Sequence, residues 1–353
     1  EGFQYVSGTN IGQCLVLAGN DDGRGGVWLA RFNAGGRIVW ERETPSVIGY
    51  SVASGKGGNI YTGRSTPVTY WQHYFYPGPA PWGDFAVTQF DSAGNSRWER
   101  TFGSFRHEQL ISVVSTIDGG VIIVGGVRQR PTQIIRLDSD GNKLWERSIG
   151  LFVYGAATML ADGNVAAVSL RQDGSVAVWF LSSVGDLLSE QVIRPATEKT
   201  TDQPYWKFQL APDPRDRTAV YVLSYIGRRS PFANRPQIIR LHQDQGISWT
   251  VELDRDCDTQ FAVFPNSEIV ATCPLRDRVG LYRISASGTA AAHSLTLPLC
   301  HTILGSEQGL YPRAYPTVAS ASELWVFGQG LSSSSRRTCQ WLAKFSLEGF
   351  AKR

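Results

Sequence analysis

The sequence predicts an all-β protein built from repeated units of four short strands. Turn residues recur at short intervals along the chain, which contains 37 Gly and 17 Pro among its 353 residues. The stretches between them are rich in β-branched and apolar side chains, as strands are. A tripeptide, Trp-Glu-Arg, also ends three similar segments, at residues 40–42, 98–100 and 145–147.

The unit is clearest in residues 110–150, which read LISVVSTIDGG, VIIVGGV, TQIIRLDSDGN and KLWERSIG. Nearly continuous apolar runs predict a sheet that is covered on both faces. The Asx-Gly turns suit tight hairpins, because positive φ costs Gly and Asn little. In a strand, Trp145 and Arg147 share one face. We therefore interpret the tryptophan as packing against the next unit and not as a ligand site.

Copies of this unit follow one another along the chain. Four-strand repeats with a period of about 40–60 residues predict a β-propeller. We expect one domain, 1–353, with seven blades of four antiparallel strands and a ring closed by the N- and C-terminal segments. A pair of β-sandwiches explains the period less well. The expected blades are approximately 3–45, 46–103, 107–150, 154–194, 205–253, 258–299 and 313–353.

Two motifs carry a resemblance to known repeats. They are D-G-G-x-I-I-x-G at 118–125 and R-L-D-x-x-G-N-x-x-W-x-R-x-x-G at 136–150. They resemble the β-propeller repeats of bacterial secreted and cell-surface proteins, which are broadly similar to PQQ-like repeats. The resemblance implies a propeller in a periplasmic, secreted or cell-surface location, but no single activity. The ligand motif of PQQ enzymes has no match in this chain, so no cofactor is expected.

Targeting segments and cysteines are the two sequence features that bear on the cellular compartment of the protein. No stretch is long and apolar enough to span a bilayer, and no charged and apolar leader begins at Glu1. We expect that a signal peptide or lipid-anchoring segment upstream of Glu1 has been removed. Among five cysteines, Cys257 with Cys273 and Cys300 with Cys339 are candidate disulfides, which leaves Cys14. Disulfides would indicate an oxidising compartment, and buried free thiols are the alternative.

Propeller geometry sorts the loops into two sets. With the strands of a unit lettered A to D from the inside outward, the A–B and C–D turns lie at one end and the B–C connections at the other. The predicted B–C connections are 20–26, 64–84, 126–132, 170–175, 226–236, 274–278 and 329–338. They contain twelve Arg, no Lys and five Asp, a net charge of +7, which leaves −4 for the rest of a chain whose total is +3. The arginines are Arg24, Arg64, Arg128, Arg130, Arg171, Arg228, Arg229, Arg235, Arg276, Arg278, Arg336 and Arg337.

This arginine set has two interpretations. It is a solvated rim, or it binds anions, since Arg favours planar contacts with carboxylate, sulfate or phosphate. The second predicts an acidic protein or an anionic polysaccharide as partner. Nucleic acid is not favoured, because the net charge is small and these loops have no Lys.

The connection 64–84 is longer than most loops and unusually aromatic. Tyr and Trp are common anchors of interfaces. This surface is either packed on the protein itself or offered to a partner. The candidate binding residues are Arg64, Tyr70, Trp71, Tyr74, Phe75, Tyr76, Trp82, Arg128, Arg130, Arg228, Arg229, Arg276, Arg336 and Arg337.

The alternative to a recognition module is an enzyme, a lyase or hydrolase acting on uronate or sulfated polysaccharide at the channel mouth. Its candidate catalytic residues are His107, Tyr205, His301 and Arg313, because Arg neutralises a carboxylate while Tyr or His moves protons. His73, His107 and His301 suggest zinc, and the D-x-D-x-N turn at Asp138 suggests calcium. Nothing fixes the distances among these histidines, and the turn lacks further ligands, so we predict no metal site.

Overall fold

The protein consists almost wholly of short antiparallel strands. The computed structural model describes residues 3–11, 14–21, 27–44, 48–67, 82–103, 108–127, 130–195, 205–227, 235–253, 260–274, 279–295, 313–318, 323–331 and 338–346. Within these ranges the only helix is a 3₁₀ turn, Lys56–Gly58. The all-β class predicted from the sequence is confirmed.

Each sheet is made of strands that are consecutive in the chain. The first sheet holds β1 (Phe3–Ile11), β2 (Cys14–Asp21), β3 (Val27–Phe32) and β4 (Ile38–Thr44). The second holds β5 (Ile48–Ser54), β6 (Ile60–Pro67), β7 (Trp82–Phe90) and β8 (Ser96–Phe102). The third holds β9 (Glu108–Ser115), β10 (Val121–Val127), β11 (Thr132–Leu137) and β12 (Lys143–Ile149). The fourth holds β13 (Leu151–Met159), β14 (Val165–Leu170), β15 (Val176–Leu181) and β16 (Leu187–Arg194).

The later strands continue this order. The fifth sheet holds β17 (Tyr205–Pro212), β18 (Ala219–Gly227), β19 (Gln237–His242) and β20 (Gly246–Glu252). The sixth holds β21 (Gln260–Val263), β22 (Ile269–Pro274), β23 (Val279–Ile284) and β24 (Ala290–Leu295). The remaining described strands, β25 (Arg313–Val318), β26 (Glu323–Leu331) and β27 (Thr338–Ser346), form a three-stranded sheet. Four-stranded antiparallel sheets, as predicted, are thus the main building unit.

Contacts divide the chain into two compact units. One is Val6–Lys199, and the other combines Glu1–Tyr5 with Thr200–Arg353. Apart from the start of β1, the first unit contains the first four sheets, and the second unit contains the last three.

In the second to sixth sheets, the core lies mainly in the two middle strands. Every residue of β14 and β15 is buried. The outer strand β12, by contrast, buries only Trp145 and Ile149. This difference explains the sequence pattern, because strands covered on both faces are apolar throughout.

The C–D turns of the first four sheets and of the sixth share one construction. In the turn 138–142, Asp138 Oδ1 accepts hydrogen bonds from the backbone N–H groups of Asp140 (2.9 Å) and Asn142 (2.8 Å). Gly141 takes the left-handed conformation, with φ 80°. The side chains of Asn33, Asp91, Ser182 and Ser285 bond the backbone of their own turns in the same way. The D-x-D-x-N motif is therefore a turn-forming device.

A tryptophan lock joins neighbouring sheets. Trp145 Nε1 donates to the carbonyl oxygen of Ser183 (3.0 Å), in the C–D turn of the fourth sheet. Its ring lies so close to Gly185 that an added Cβ would come within 2.9 Å of it. Arg147 Nε donates to the Gly185 carbonyl oxygen (2.7 Å). The packing role predicted for Trp145 is confirmed, and the same indole-to-turn bond joins Trp40 to Ser92, Trp98 to Ser139 and Trp249 to Ala286.

Among the described residues, no helix is long and apolar enough to cross a membrane. No group of three or more His, Cys, Asp or Glu side chains in this part of the chain is arranged to hold a metal ion. Cys273 is buried at the middle of the sixth sheet. Cys257 and Cys300 lie outside the described residues, and Cys14 and Cys339 lie in β2 and β27. The disulfide pairing stays a prediction.

Candidate functional site

The B–C connections share one end of the sheets within each unit. In an antiparallel sheet of four strands, the A–B and C–D turns lie at one end and the B–C connection at the other. The tryptophan locks bring the C–D turns of the first four sheets together, and likewise those of the fifth and sixth. The strand ends that flank the B–C connections of these sheets consequently lie at the opposite end.

The B–C connections vary more in length than the A–B and C–D turns do. The A–B turns 55–59, 116–120 and 160–164 and the C–D turns 33–37, 91–95 and 138–142 have the same five-residue length. The B–C connections range from four residues, at 128–131, to fourteen, at 68–81. Uniform turns serve the scaffold, while variable connections are where proteins place recognition.

Most of the predicted site residues lie outside the described part of the chain. These are Tyr70, Trp71, Tyr74, Phe75, Tyr76, His107, Arg128, Arg228, Arg229, Arg276, His301, Arg336 and Arg337. Trp82, Tyr205 and Arg313 are the first residues of β7, β17 and β25. Each of these strands begins at the B–C end of its sheet, so the backbone places all three residues there.

Arg64, at the B–C end of β6, is held by an acid from the outer strand. Its Nη2 donates to Glu99 Oε1 (2.6 Å), and Thr88 Oγ1 donates to Glu99 Oε2 (2.8 Å). Partial burial opposes ionisation of Glu99, but the bonds from Arg64 and Thr88 prevail and keep its pKa below the usual value. The pair holds the guanidinium group at the B–C end of the sheet. Glu99 is the middle residue of the second Trp-Glu-Arg copy.

The same pairing recurs elsewhere. Arg171 Nε bonds Glu190 Oε1 (2.9 Å), again from a B–C connection to an outer strand, and Arg171 also lies 3.6 Å from Asp173. Arg235 lies 3.7 Å from Glu252 at the end of β20. Arg130 is exposed. Outer-strand glutamates thus orient three of the four arginines of the B–C connections that the structure describes.

The loop sequences alone gave no sign of these partners. The glutamates lie on a different strand, 17 to 35 residues further along the chain, and meet the arginines only through strand pairing. The repeat itself could have indicated these glutamate partners, because Glu99 and Glu190 occupy the same place in their outer strands. Exposed pairs of this kind contribute little stability. The Arg171 and Arg235 pairs are of this exposed kind, whereas Arg64 is mostly buried.

The densest buried polar cluster lies at the other end of the sheets. Asp213, in the A–B turn of the fifth sheet, accepts hydrogen bonds from Tyr221 (2.9 Å), Arg240 (2.9 Å) and Ser267. Burial would raise the pKa of Asp213, but the bonds from Ser267, the Arg215 backbone N–H and Arg240 hold it below its usual value. Ser267 has φ 65°, a conformation normally taken by Gly.

This cluster ties turns together and is not a catalytic site. Ser267 stands in the A–B turn of the sixth sheet, so its bond to Asp213 joins two neighbouring sheets. Tyr61 makes the equivalent contact in the second sheet, where its hydroxyl donates to the carbonyl oxygen of Gly119. Every oxygen of the Asp213 carboxylate is occupied by a protein donor, which leaves no acceptor for a substrate.

Comparisons with known proteins establish the fold. No protein-family model matches the chain, and no curated protein sequence matches it. The structure is similar to the β-propeller domain of the trilobed protease from Pyrococcus furiosus, described as having an open velcro topology. The TM-score is 0.57 at 9% identity, over 98% of this chain and 96% of that one. The chain has a β-propeller fold.

A second solved structure is a protein of unknown function from Bacteroides caccae. It is 15% identical, with a TM-score of 0.44 over 78% of this chain and 90% of that one.

Proposed function

We propose that the chain is an extracytoplasmic recognition module that binds an acidic protein partner or an anionic glycan through its B–C connections. The observation that carries the proposal is the use of twelve Arg and no Lys in the seven predicted connections. Like charges at one end of a propeller concentrate the field there and speed the capture of anions. Planar guanidinium groups suit carboxylate and sulfate better than ammonium groups do.

The aromatic segment 70–82 is a second argument for binding through the B–C connections. Apart from Trp82, the first residue of β7, it falls within the fourteen residues between β6 and β7. Tyr and Trp give a large contact area for little conformational entropy, and they also stack on sugar rings. We favour a protein partner, because a broad set of Arg and aromatic residues resembles an interface more than a small pocket.

The proposed assembly is one ring of seven blades, closed by the N- and C-terminal segments and similar to bacterial surface propeller repeats. Its support is the series of six four-stranded sheets and one three-stranded sheet among the described strands. An extracytoplasmic location agrees with the proposed Cys257–Cys273 and Cys300–Cys339 disulfides. Five free thiols in the denatured, unreduced protein would contradict those disulfides.

Paired variants test the binding surface. Replacing Arg228 and Arg229 with Gln removes two adjacent charges from a B–C connection. Replacing Arg215 and Arg217, exposed in an A–B turn of the same sheet, removes the same charge from the opposite end. Binding to polyglucuronate or heparin, followed by calorimetry at rising salt, is expected to weaken several-fold for the first variant only. Equal losses in both variants, or binding that salt does not weaken, would contradict the proposal.

An enzyme acting on acidic polysaccharide is the second candidate. The favouring observation is that Tyr205 and Arg313 both begin innermost strands at the B–C end. Incubation with uronate and sulfated polysaccharides separates the two functions. New reducing ends or an unsaturated product, abolished in Tyr205→Phe, His107→Ala or His301→Ala variants, would support the enzyme. A stoichiometric complex without turnover would support the recognition module.

A further inference from the structure

The most exposed apolar side chains occur on turns of the third and fourth sheets. Among the described residues, the three most exposed large apolar side chains are those of Val184 (63%), Ile117 (62%) and Leu187 (59%). Val184 lies in the C–D turn of the fourth sheet, and Leu187 begins β16 directly after that turn. Ile117 lies in the A–B turn of the third sheet. A single exposed apolar residue is ordinary, but a group of them indicates a contact surface.

A buried arginine holds these two turns side by side. Arg136 Nη1 donates to the carbonyl oxygen of Ser183 (2.6 Å), and Arg136 Nη2 donates to Asp118 Oδ2 (2.7 Å). Ile117 is the residue before Asp118. Val184 follows Ser183, so the bridge brings both exposed side chains to the same part of the surface. We call Ile117, Val184 and Leu187 the turn patch.

The corresponding turn positions of the preceding sheets hold charged residues. Lys56, in the A–B turn of the second sheet, takes the position of Ile117. Asp140, in the C–D turn of the third sheet, takes the position of Val184. Both charged residues are exposed. These turns therefore form without a large apolar residue at either position, and burial against a partner is what Ile117 and Val184 would gain.

The turns around the patch are acidic. The four turns of the third and fourth sheets contain five Asp and no Lys or Arg; they are 116–120, 138–142, 160–164 and 182–186. Arg136 and Arg147 balance two of these carboxylates, and Lys143, which follows the second turn, is paired with Glu146. The surplus charge is negative. A partner that covers the patch should therefore be basic as well as apolar.

The same unit of the chain carries segments of that composition. The B–C connections of the second and third sheets are 68–81 and 128–131. Together they contain five aromatic residues, the arginines Arg128 and Arg130, and no Asp or Glu. The strands that flank them place these connections at the end of the sheets opposite the turn patch. One copy of the chain can therefore offer the patch of another copy both apolar and basic groups.

We propose that the turn patch binds the B–C connections of a second copy of this chain, so that copies associate head to tail. The inference rests on the proposed function for its basic side, and it identifies the chain itself as an acidic protein partner. Such a contact is heterologous and does not close on itself. A contact centred on three side chains is small beside the ~1,200 Å² that stable complexes bury. The association is consequently weak and depends on concentration and salt.

Sedimentation velocity over a range of concentrations measures this association. The wild-type chain is expected to shift to larger species as the concentration rises and to return to monomer in high salt. Ile117→Lys combined with Val184→Lys should abolish the shift, because two cations then face the arginines of the second copy. The matched control is Ile38→Lys with Val39→Lys on β4, where the side chains are 51% and 53% exposed. It should leave the shift unchanged, and circular dichroism checks that both variants keep the fold.

A mixture of two disabled variants tests the head-to-tail arrangement. The Ile117→Lys, Val184→Lys variant keeps its B–C connections, and an Arg128→Gln, Arg130→Gln variant keeps its turn patch. Neither should associate alone. Their equimolar mixture should form a 1:1 dimer that grows no further, because each copy has one working surface. A mixture that stays monomeric, or a wild-type chain that stays monomeric at its solubility limit, would overturn the proposal.

Heparin binding separates this inference from the proposed function. The Ile117→Lys, Val184→Lys variant is expected to bind heparin at least as tightly as the wild type, since its B–C connections are intact. A wild-type chain that binds heparin in a salt-dependent way but never associates would contradict the head-to-tail contact alone. A wild-type chain that neither binds heparin nor associates would contradict both proposals.

Discussion

Single side chains in this protein owe their roles to the repeat around them. Ser267 occupies a turn position where the third sheet has Gly119, and it accepts a left-handed backbone with φ 65°. Its hydroxyl bonds the buried Asp213, which also holds Tyr221 and Arg240. The bond to a charged acceptor offsets the strain that a non-glycine residue has in this conformation.

Tyr221 makes this cluster sensitive to high pH. Burial, followed by the charge of Asp213, raises the pKa of Tyr221 from 10.0 to about 12. Because the folded-state pKa lies above the unfolded one, the neutral phenol stabilises the fold fully below the unfolded value of 10.0. That stability is lost as the pH rises through the folded-state pKa.

We therefore expect Tyr221→Phe to flatten the alkaline limb of the stability curve. The variant loses a hydrogen bond at neutral pH, about 1 kcal/mol, but its free energy of unfolding should fall less steeply as the medium becomes alkaline. Urea unfolding at a series of pH values measures this. The wild-type protein, unfolded at the same pH values, is the reference. An unchanged slope in Tyr221→Phe would contradict the assignment.

At the scale of elements, the tryptophan lock sets the spacing between sheets. The indole bonds the next C–D turn and lies against its glycine, so the turn must contain a residue without a side chain. Gly94, Gly141, Gly185 and Gly288 fill this position, and each would place a Cβ within about 3 Å of a tryptophan. The tryptophan of the outer strand and the glycine of the next C–D turn therefore require each other. This explains why the Trp-Glu-Arg copies recur with the period of the four-strand units.

Two glycines of the fourth sheet distinguish the effect of the left-handed backbone from the effect of the tryptophan contact. Gly185 and Gly163 have nearly equal φ, 88° and 89°. An added Cβ at Gly185 would come within 2.9 Å of Trp145, whereas one at Gly163 meets nothing within 4 Å. Gly163→Ala is expected to cost about 1–2 kcal/mol from backbone strain alone. Gly185→Ala should cost about 1–3 kcal/mol more from overpacking. Thermal unfolding measures both, and equal losses would contradict the lock.

The sequence predicted the strands and turns well but not the ion pairs of the candidate site, for a physical reason. The strands and turns follow from local patterns, such as the apolar runs of β14 and β15 and the capped turn at Asp138. The ion pairs of Arg64 and Arg171 depend on strands that meet only after folding. A charge count over the loops treats these arginines as unpaired, and the structure gives them outer-strand partners.

At the scale of the whole chain, the predicted B–C connections differ in net charge from the remaining residues. The predicted B–C connections carry +7 and the rest of the chain −4. Part of the positive charge is balanced by Glu99, Glu190 and Glu252. The remaining asymmetry predicts that the protein meets an anionic surface with one end, since the attraction decays within a Debye length, about 8 Å at physiological salt.

Arginine footprinting tests that orientation. Phenylglyoxal modifies accessible guanidinium groups, and mass spectrometry locates the product. In the presence of heparin or an acidic partner, we expect protection at Arg228, Arg229, Arg336 and Arg337. Arg37, Arg97 and Arg215, which are exposed at the turn end of their sheets, should react as in the free protein. Protection spread evenly over both sets would mean that the protein binds without a preferred end, because only contact shields a guanidinium group from the reagent.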